Sequence, residues 1–422
     1  MKITRRCFLC LAAGVLGGCS QGDDTISELY AELSSERTFD TSSLTRDDAS
    51  LYTEARQRTA RENPHRKVVP HPAMYGKKLS GQRVRCELCP HFCELDESDR
   101  GICNTRINQG GDLYTLAYGL ANPGAHPTNV KEIPLHLQGP DKPMVSIGLV
   151  GCGLRCDQCL FGDVIFSRPE ELGARTFTPE EVARFTADAG SPCIIYTNSE
   201  PTNNFEFTLD TAKAARKLGL YNILSTAGYV NVPPLKELVP YMDGSFLGWK
   251  GFSEASYGKL TQGSLEPVKQ AALVLRDGGV LLEHYFLMIP TMNDREEEIR
   301  AFATWIHRNF GPYSLVCFSR FYPTFRLRNL PPTPMETLKK AKEISESCGL
   351  KNVNIYLGSY FGYDNIFSEP DFAAATYCPY CGKLLLKYNV GLSSVYLVNH
   401  MDGYHCRSCG KPFPGVLKLL TT

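Results

Sequence analysis

The chain has 422 residues, with 45 basic residues against 45 acidic ones, so its formal net charge is zero. That balance argues against a non-specific nucleic-acid binder, which carries a basic excess. Hydrophobic residues at 43%, with 21 Phe and 21 Tyr, exclude disorder throughout, and the length allows two to four domains at roughly 100–200 residues each. The unusual count is 17 cysteines. They serve either as disulfides in an exported protein or as metal ligands in a reduced one, and spacing must decide.

The amino terminus reads MKITRRCFLCLAAGVLGGCS. Its apolar run, Phe8 to Leu16, is too short to span a bilayer of about 30 Å but suits the apolar region of a signal peptide. Thr4-Arg5-Arg6-Cys7-Phe8-Leu9 resembles a twin-arginine export signal, and Leu16-Gly17-Gly18-Cys19 resembles a lipobox. Residues 1–19 are therefore expected to be a leader, and the polar stretch 20–75 a tether with helical pieces. The expected location is the cell envelope, with a lipid on Cys19 holding the chain to the membrane. The alternative is an uncleaved leader on a cytoplasmic protein.

Cys7, Cys10 and Cys19 belong to the leader. Cys193, Cys317 and Cys348 stand alone in apolar surroundings and are expected in the core. The other eleven fall into three groups with ligand-type spacing. Cys86, Cys89, Cys93 and Cys103 lie within eighteen positions, with His91 among them as a substitute ligand. They fit a four-cysteine zinc site or an iron–sulfur cluster equally well. Cys152, Cys156 and Cys159 occupy a glycine-bounded loop after an alternating apolar strand, Met144 to Val150. Three thiolates leave one iron of a cubane cluster open to a small molecule. Cys378, Cys381, Cys406 and Cys409 form two Cys-x-x-Cys-Gly knuckles, expected to hold structural zinc, with a rubredoxin-type iron as the lesser option.

After Cys159, apolar runs alternate with amphipathic helices. Strands are expected at Pro192 to Tyr196, Tyr221 to Ser225, Gly244 to Trp249, Val280 to Ile289, Tyr313 to Phe318 and Lys351 to Leu357. Helices are expected at Asn204 to Leu218, near Pro234 to Met242, and at Leu265 to Asp277, Asp294 to Arg308 and Pro334 to Ser347. Strands joined through helices imply a parallel sheet. The fold class is thus α/β, an incomplete parallel (β/α) barrel over 141–358. Cysteine-rich metal modules flank it at 76–140 and 359–422. Chemistry in such barrels sits at the carboxyl ends of the strands, where the three-cysteine loop falls.

Cys152-Gly-Leu-Arg-Cys156-Asp-Gln-Cys159 resembles the Cys-x3-Cys-x2-Cys loop of radical S-adenosylmethionine (SAM) enzymes. From about residue 75 to 418 the chain is similar to the AmmeMemoRadiSam-system enzymes, relatives of the pyruvate formate-lyase activases. The similarity runs through CELCPHFCELDESDRGICNTR, YTNSEPTNNFEFTLDTAKAARKLGL, IPTMND, FSRFYP, LPPTPMETL, CPYCG and CRSCG. The resemblance implies a 4Fe–4S cluster on Cys152, Cys156 and Cys159, with the SAM amino and carboxylate groups on the fourth iron. It places Ser199 and Glu200, within Thr197 to Pro201, near the SAM amino group, Thr226 beside the nucleoside and Lys250 at the lysine of an Asp-Leu-Lys segment. The plain readings are a polar turn for Glu200, a turn or cap for Thr226 and a solvated surface lysine for Lys250. Departures from the pattern include Gln158, where an aromatic is usual, Leu160-Phe161 after the third cysteine, and Ala227-Gly228 for Asn-Gly. Phe321-Tyr322-Pro323 replaces Phe-His-Pro, and Lys131-Glu132-Ile133 replaces Glu-Lys-Lys. Ser225 and Gly248 replace acids that bind a monovalent cation in activases.

The activity this implies is reductive cleavage of SAM to a 5′-deoxyadenosyl radical that abstracts hydrogen from a substrate. The implied partners are that substrate, with a protein among the candidates, and a low-potential electron donor. One alternative is an activase that installs a glycyl radical. Another is a non-catalytic envelope iron–sulfur or scaffold module, favoured by the export signal.

Overall fold

The computed structural model describes residues 68–121, 128–129, 144–172, 175–356, 373–389, 396–403 and 405–413. The leader with Arg5, Arg6 and Cys19, the tether up to residue 67, and Lys131-Glu132-Ile133 lie outside the described residues.

Seven parallel strands form the central sheet in sequential order: β1 (Val145–Gly148), β2 (Cys193–Thr197), β3 (Tyr221–Thr226), β4 (Gly244–Trp249), β5 (Leu281–Met288), β6 (Leu315–Arg320) and β7 (Asn352–Tyr356). Thr128–Asn129 adds an antiparallel pairing on β1, and no pairing closes β7 back onto β1 among the described residues. The α/β incomplete barrel expected from sequence is the observed fold. Helices α1 (Pro179–Asp188), α2 (Phe205–Lys217), α3 (Val232–Leu238), α4 (Glu254–Thr261), α5 (Glu266–Asp277), α6 (Glu296–Phe310) and α7 (Met335–Ser347) make the crossovers.

Two of these helices were not among the expected ones. In α1, Thr178 accepts from Glu181 N at 3.2 Å while its own N donates to Glu181 Oε2 at 2.7 Å, a capping box that Thr-Pro-Glu-Glu spells out. In α4, Ser253 caps Ser256 in the same way. The eight residues of α4 are too few for a clear helical period.

Alternation along the strands sorts side chains between lumen and helices. Outward, Trp249, Phe286, Phe302 and Phe318 pack as a near-dry aromatic layer between β4–β6 and α6. Each such ring buries about 150–250 Å² and carries much of the core energy. Cys193 and Cys317 are fully buried, as expected of core cysteines, while Cys348 is half-buried.

Before the barrel, two small antiparallel sheets share its core, with Val84, Leu88, Leu95 and Leu113 in the same apolar cluster as the strands. A buried ion pair fastens them there. Arg106 donates twice through one nitrogen to Glu206 of α2, at 2.8 Å to each oxygen. Arg106 also donates to Met74 O at 2.9 Å, and Met74 N donates to Glu206 at 2.7 Å. After the barrel, the knuckle segment packs Leu385, Leu386, Met401 and Phe413 against Leu281 and Leu315, at the amino-terminal ends of β5 and β6.

Candidate active site

The chain leaves β1 at Gly148 and enters the loop that holds Cys152, Cys156 and Cys159. Gly151 has φ +80°, and a side chain there would begin 2.2 Å from the Thr105 methyl, so only glycine fits. The segment after β2 holds this loop. Glu200 N donates to Gly151 O at 3.3 Å, Asn204 Nδ2 to Val150 O at 2.6 Å, and Gly153 N to Asn203 Oδ1 at 2.6 Å. Ser-Glu-Pro-Thr-Asn-Asn is thus a clamp on the cysteine loop, and the roles of Asn203 and Asn204 were not read from sequence. The adjacent pair at a helix start was the available signal.

Cys152 is buried, and Cys156 and Cys159 are half-buried. Burial raises the Cys152 thiol well above its ordinary pKa, with the Glu200 charge adding to the shift. Burial pushes Cys156 up to about 11, partly offset by the Lys250 ammonium. Without a metal these thiols stay protonated at neutral pH, so ligation must release their protons.

Further clamps tie neighbouring strand ends at the mouth. Glu200 is buried, and its carboxylate accepts from Thr226 Oγ1 at 2.6 Å, Thr202 Oγ1 at 2.8 Å and Ala227 N at 2.8 Å. Asn293 of the IPTMND turn accepts from Ile289 N and donates to Lys250 O and Leu287 O, joining β4 to β5. Thr333 of LPPTP donates to Met288 O at 2.6 Å and accepts from Phe321 N at 2.9 Å, joining β5 to β6.

Lys250 is half-buried rather than fully solvated. Its Nζ lies 3.2 Å from where a Gly248 side chain would begin, so the ammonium folds back over the end of β4. In the cysteine loop, in the segment after β2 and in α4, three groups carry buried polar atoms with no hydrogen-bond partner among the described residues: both ends of the Gln158 amide, Ser199 Oγ and Tyr257 Oη. Tyr257 of α4 is fully buried and close enough to Cys156 and Glu200 for their charges to raise its phenol further above the range set by burial. Leaving such groups unpaired costs about 1–3 kcal/mol each, which a polar ligand would relieve. Tyr257 was not singled out from sequence, because nothing in SEASYGKLT distinguishes it from a core tyrosine.

The two other cysteine groups differ in span. Cys378, Cys381, Cys406 and Cys409 bring their ligand atoms within 4.8 Å of one another, the only such set of His, Cys, Asp or Glu among the described residues. Cys378 and Cys409 lie 3.8 Å apart, and Cys381 and Cys406 3.7 Å, distances that suit one tetrahedral ion. Cys86, Cys89, Cys93 and Cys103 also converge but are not drawn that tightly.

The family model described as the Radical SAM superfamily matches residues 146–303, from β1 into α6. An uncharacterized protein of Methanocaldococcus jannaschii is 32% identical over 346 residues, 82% of this chain and 99% of that protein. The chain belongs to the radical SAM superfamily. The pyruvate formate-lyase-activating enzyme of Clostridium pasteurianum is 24% identical over 209 residues, 46% of this chain and 86% of the relative. Among solved structures, a radical SAM methyltransferase from Sphaerobacter thermophilus aligns with a TM-score of 0.42 at 17% identity, covering 52% of this chain and 67% of that one.

As a radical SAM enzyme, the chain is expected to use SAM and an iron–sulfur cluster, and its residues fit both. Three thiols on one loop leave an open coordination position. Gln158, in the same loop, carries a buried amide with both ends unpaired, and Tyr257 lies within reach of the Cys156 charge. Glu200 and Thr226 are brought together, but their atoms are engaged with each other and with backbone. Ser225 and Gly248 supply no carboxylate, and the Lys250 ammonium lies over Gly248 instead.

Proposed function

We propose that the chain cleaves SAM reductively and directs the resulting 5′-deoxyadenosyl radical at a hydrogen of a substrate held at the barrel mouth. Cys152, Cys156 and Cys159 would hold a 4Fe–4S cluster, which supplies the electron when bound. The observation that carries this reading is the three-cysteine loop at the carboxyl end of β1, which holds the unpaired Gln158 amide and is clamped by the segment after β2 that contains the unpaired Ser199 hydroxyl. Asn203 and Asn204 hold the loop in place. Lys250 offers a cation to the SAM carboxylate, and Gln158, Ser199 and Tyr257 offer hydrogen bonds to its polar groups. The barrel would supply position and exclusion of water around the bound substrate. The knuckle cysteines would hold zinc as a closed structural site. The substrate, a protein among the candidates, and a low-potential donor complete the reaction.

The test is anaerobic reconstitution with iron and sulfide, followed by dithionite and SAM. The expected product is 5′-deoxyadenosine in wild type and none in a Cys152/Cys156/Cys159→Ala variant. A reconstituted protein that binds iron but yields no 5′-deoxyadenosine would favour the non-catalytic module. We further infer that the mature chain starts at Cys19 and is held at the cell envelope by lipid, which is consistent with a folded, cofactor-loaded cargo.

A further inference from the structure

The four amino-terminal cysteines are assembled by short-range geometry. Cys86 N donates to Cys93 O at 2.9 Å, and Phe92, with φ +45°, turns the chain between Cys89 and Cys93. Gly101 lets Cys93 and Cys103 close in, since both sulfurs lie 3.7 Å from where its side chain would begin. Four thiols have thus converged. Yet no three of them, with or without His91, lie within the 4.8 Å that the carboxyl-terminal knuckles achieve. Cys152, Cys156 and Cys159 are likewise not drawn within that distance. A wider span suits a multi-iron core, which is larger than a single ion.

This group also touches the three-cysteine loop directly. Cys89 Sγ lies 3.6 Å from where a Gly153 side chain would begin, and His91 Nε2 is 2.8 Å from Gly153 O. Thr105, whose hydroxyl donates to Cys103 Sγ at 3.2 Å, presses its methyl on Gly151. Both glycines flanking Cys152 are therefore packed against the amino-terminal group. The contact that joins the two groups is the His91–Gly153 hydrogen bond, two residues from Cys89 and one from Cys152. Phe92, between Cys89 and Cys93, is an exposed aromatic on the outer side.

We propose that Cys86, Cys89, Cys93 and Cys103 hold a second iron–sulfur cluster that relays single electrons to the Cys152 loop. The donor is a reduced one-electron carrier of the flavodoxin or ferredoxin class. It loses one electron, the second cluster gains and then loses that electron, and the loop cluster gains it. No proton moves and no bond breaks. The relay rests on the reading of Cys152, Cys156 and Cys159 as a cluster loop, whereas occupancy of the amino-terminal site does not.

The test uses the full chain, reconstituted anaerobically. In the Cys152/Cys156/Cys159→Ala variant the expected content is about four irons and four sulfides, with an electron paramagnetic resonance signal after dithionite that SAM leaves unchanged. Zinc without sulfide in that variant, or no metal beyond the knuckles, overturns the site. In wild type, the expected spectrum of the fully reduced protein is broadened by interaction between two spins. Two reduced clusters with no such interaction overturn the relay. In Cys89→Ser that keeps the loop cluster, reduction by dithionite-reduced flavodoxin should slow roughly tenfold or more. An unchanged rate with the second cluster lost also overturns the relay. A wild-type signal that SAM never perturbs counts against the loop reading alone, since the triple variant tests the amino-terminal site without it.

Discussion

Thr226 Oγ1 donates a 2.6 Å hydrogen bond to Glu200 Oε1 and so ties the carboxyl end of β3 to the segment that follows β2. Thr226 then accepts from Gly228 N at 2.8 Å, which fixes the turn beyond it. Glu200 is therefore a brace first, and any contact it makes to a ligand is additional. Thr226→Val should cost about 1–3 kcal/mol, because it removes one donor from a buried carboxylate. Urea unfolding of the metal-free protein measures that loss. SAM affinity, read by calorimetry on the reconstituted variant, should change less than stability. A variant of full stability with weakened SAM binding would make Thr226 a ligand contact instead.

Arg106 and Glu206 set up a different kind of brace, a buried ion pair with every charge matched. Arg106→Ala strands a buried carboxylate and should cost about 3–5 kcal/mol, whereas Arg106→Met with Glu206→Leu should recover much of it. Limited proteolysis should find new cleavage between residues 70 and 110 in the single variant. Equal stability of single and double variants would remove the pair from the list of anchors.

His284 gives the stability a pH dependence. Its ring is buried, accepts from Trp249 Nε1 at 3.3 Å and lies 4.5 Å from the Phe310 ring, and burial lowers its pKa to about 3. Unfolded, the imidazole takes a proton below its ordinary value of about 6.5. The unfolded state thus binds more protons between pH 6.5 and 3, and stability falls as pH drops through that window. The contribution is on the order of a few kcal/mol. His284→Leu should flatten this acid limb in a series of melting curves, even if its stability at pH 7 is lower. An unchanged slope would show that other groups set it.

Cys378→Ser should open one knuckle. Structural zinc can supply ~10–16 kcal/mol in small finger peptides, so its loss should loosen the chain from about residue 373 onward. Protease mapping with metal analysis reads both effects. No new cleavage after metal loss would mean that the apolar contacts with Leu281 and Leu315 hold the segment unaided.

The leader makes its own prediction. Arg5→Lys with Arg6→Lys should keep the protein inside the cell with its clusters intact, while Cys19→Ala should block lipidation and leave the leader attached. Cell fractionation decides, and a wild-type chain found soluble with an uncleaved leader removes the envelope assignment.

The barrel was legible because its strands are apolar runs separated by helices with a clear period, and their ends fall within a few residues of the expected ones. The helix α4 was not legible, since eight residues give too short a period. Cysteine spacing picked out the carboxyl-terminal set that the fold draws together, yet spacing does not separate one ion from a cluster, because span is a property of folded loops. Side chains that brace the fold illustrate a second limit. Glu200 and Thr226, expected beside SAM, are hydrogen-bonded to each other. Asn203, Asn293 and Thr333, to which no role was given, hold strand ends together across the mouth, a role that depends on which backbone carbonyls and amides the fold brings within reach. Lys250 fitted both a family lysine and a solvated surface lysine in the sequence, and the fold sets it half-buried over Gly248.

The knuckles beneath Leu281 and Leu315 are also the part of the fold that leaves the ribosome after all seven strands. Domains generally fold as they emerge, so β5 and β6 pair before their amino-terminal apolar ends are covered. During that interval Leu281 and Leu315 face water at the end opposite the three-cysteine loop. Docking of the segment that carries Cys378, Cys381, Cys406 and Cys409 then becomes a late step in folding, after the cysteine loop and every strand of the sheet have left the ribosome. A chain stalled before residue 373 would carry a complete cysteine loop and an uncovered apolar patch at the other end of the sheet.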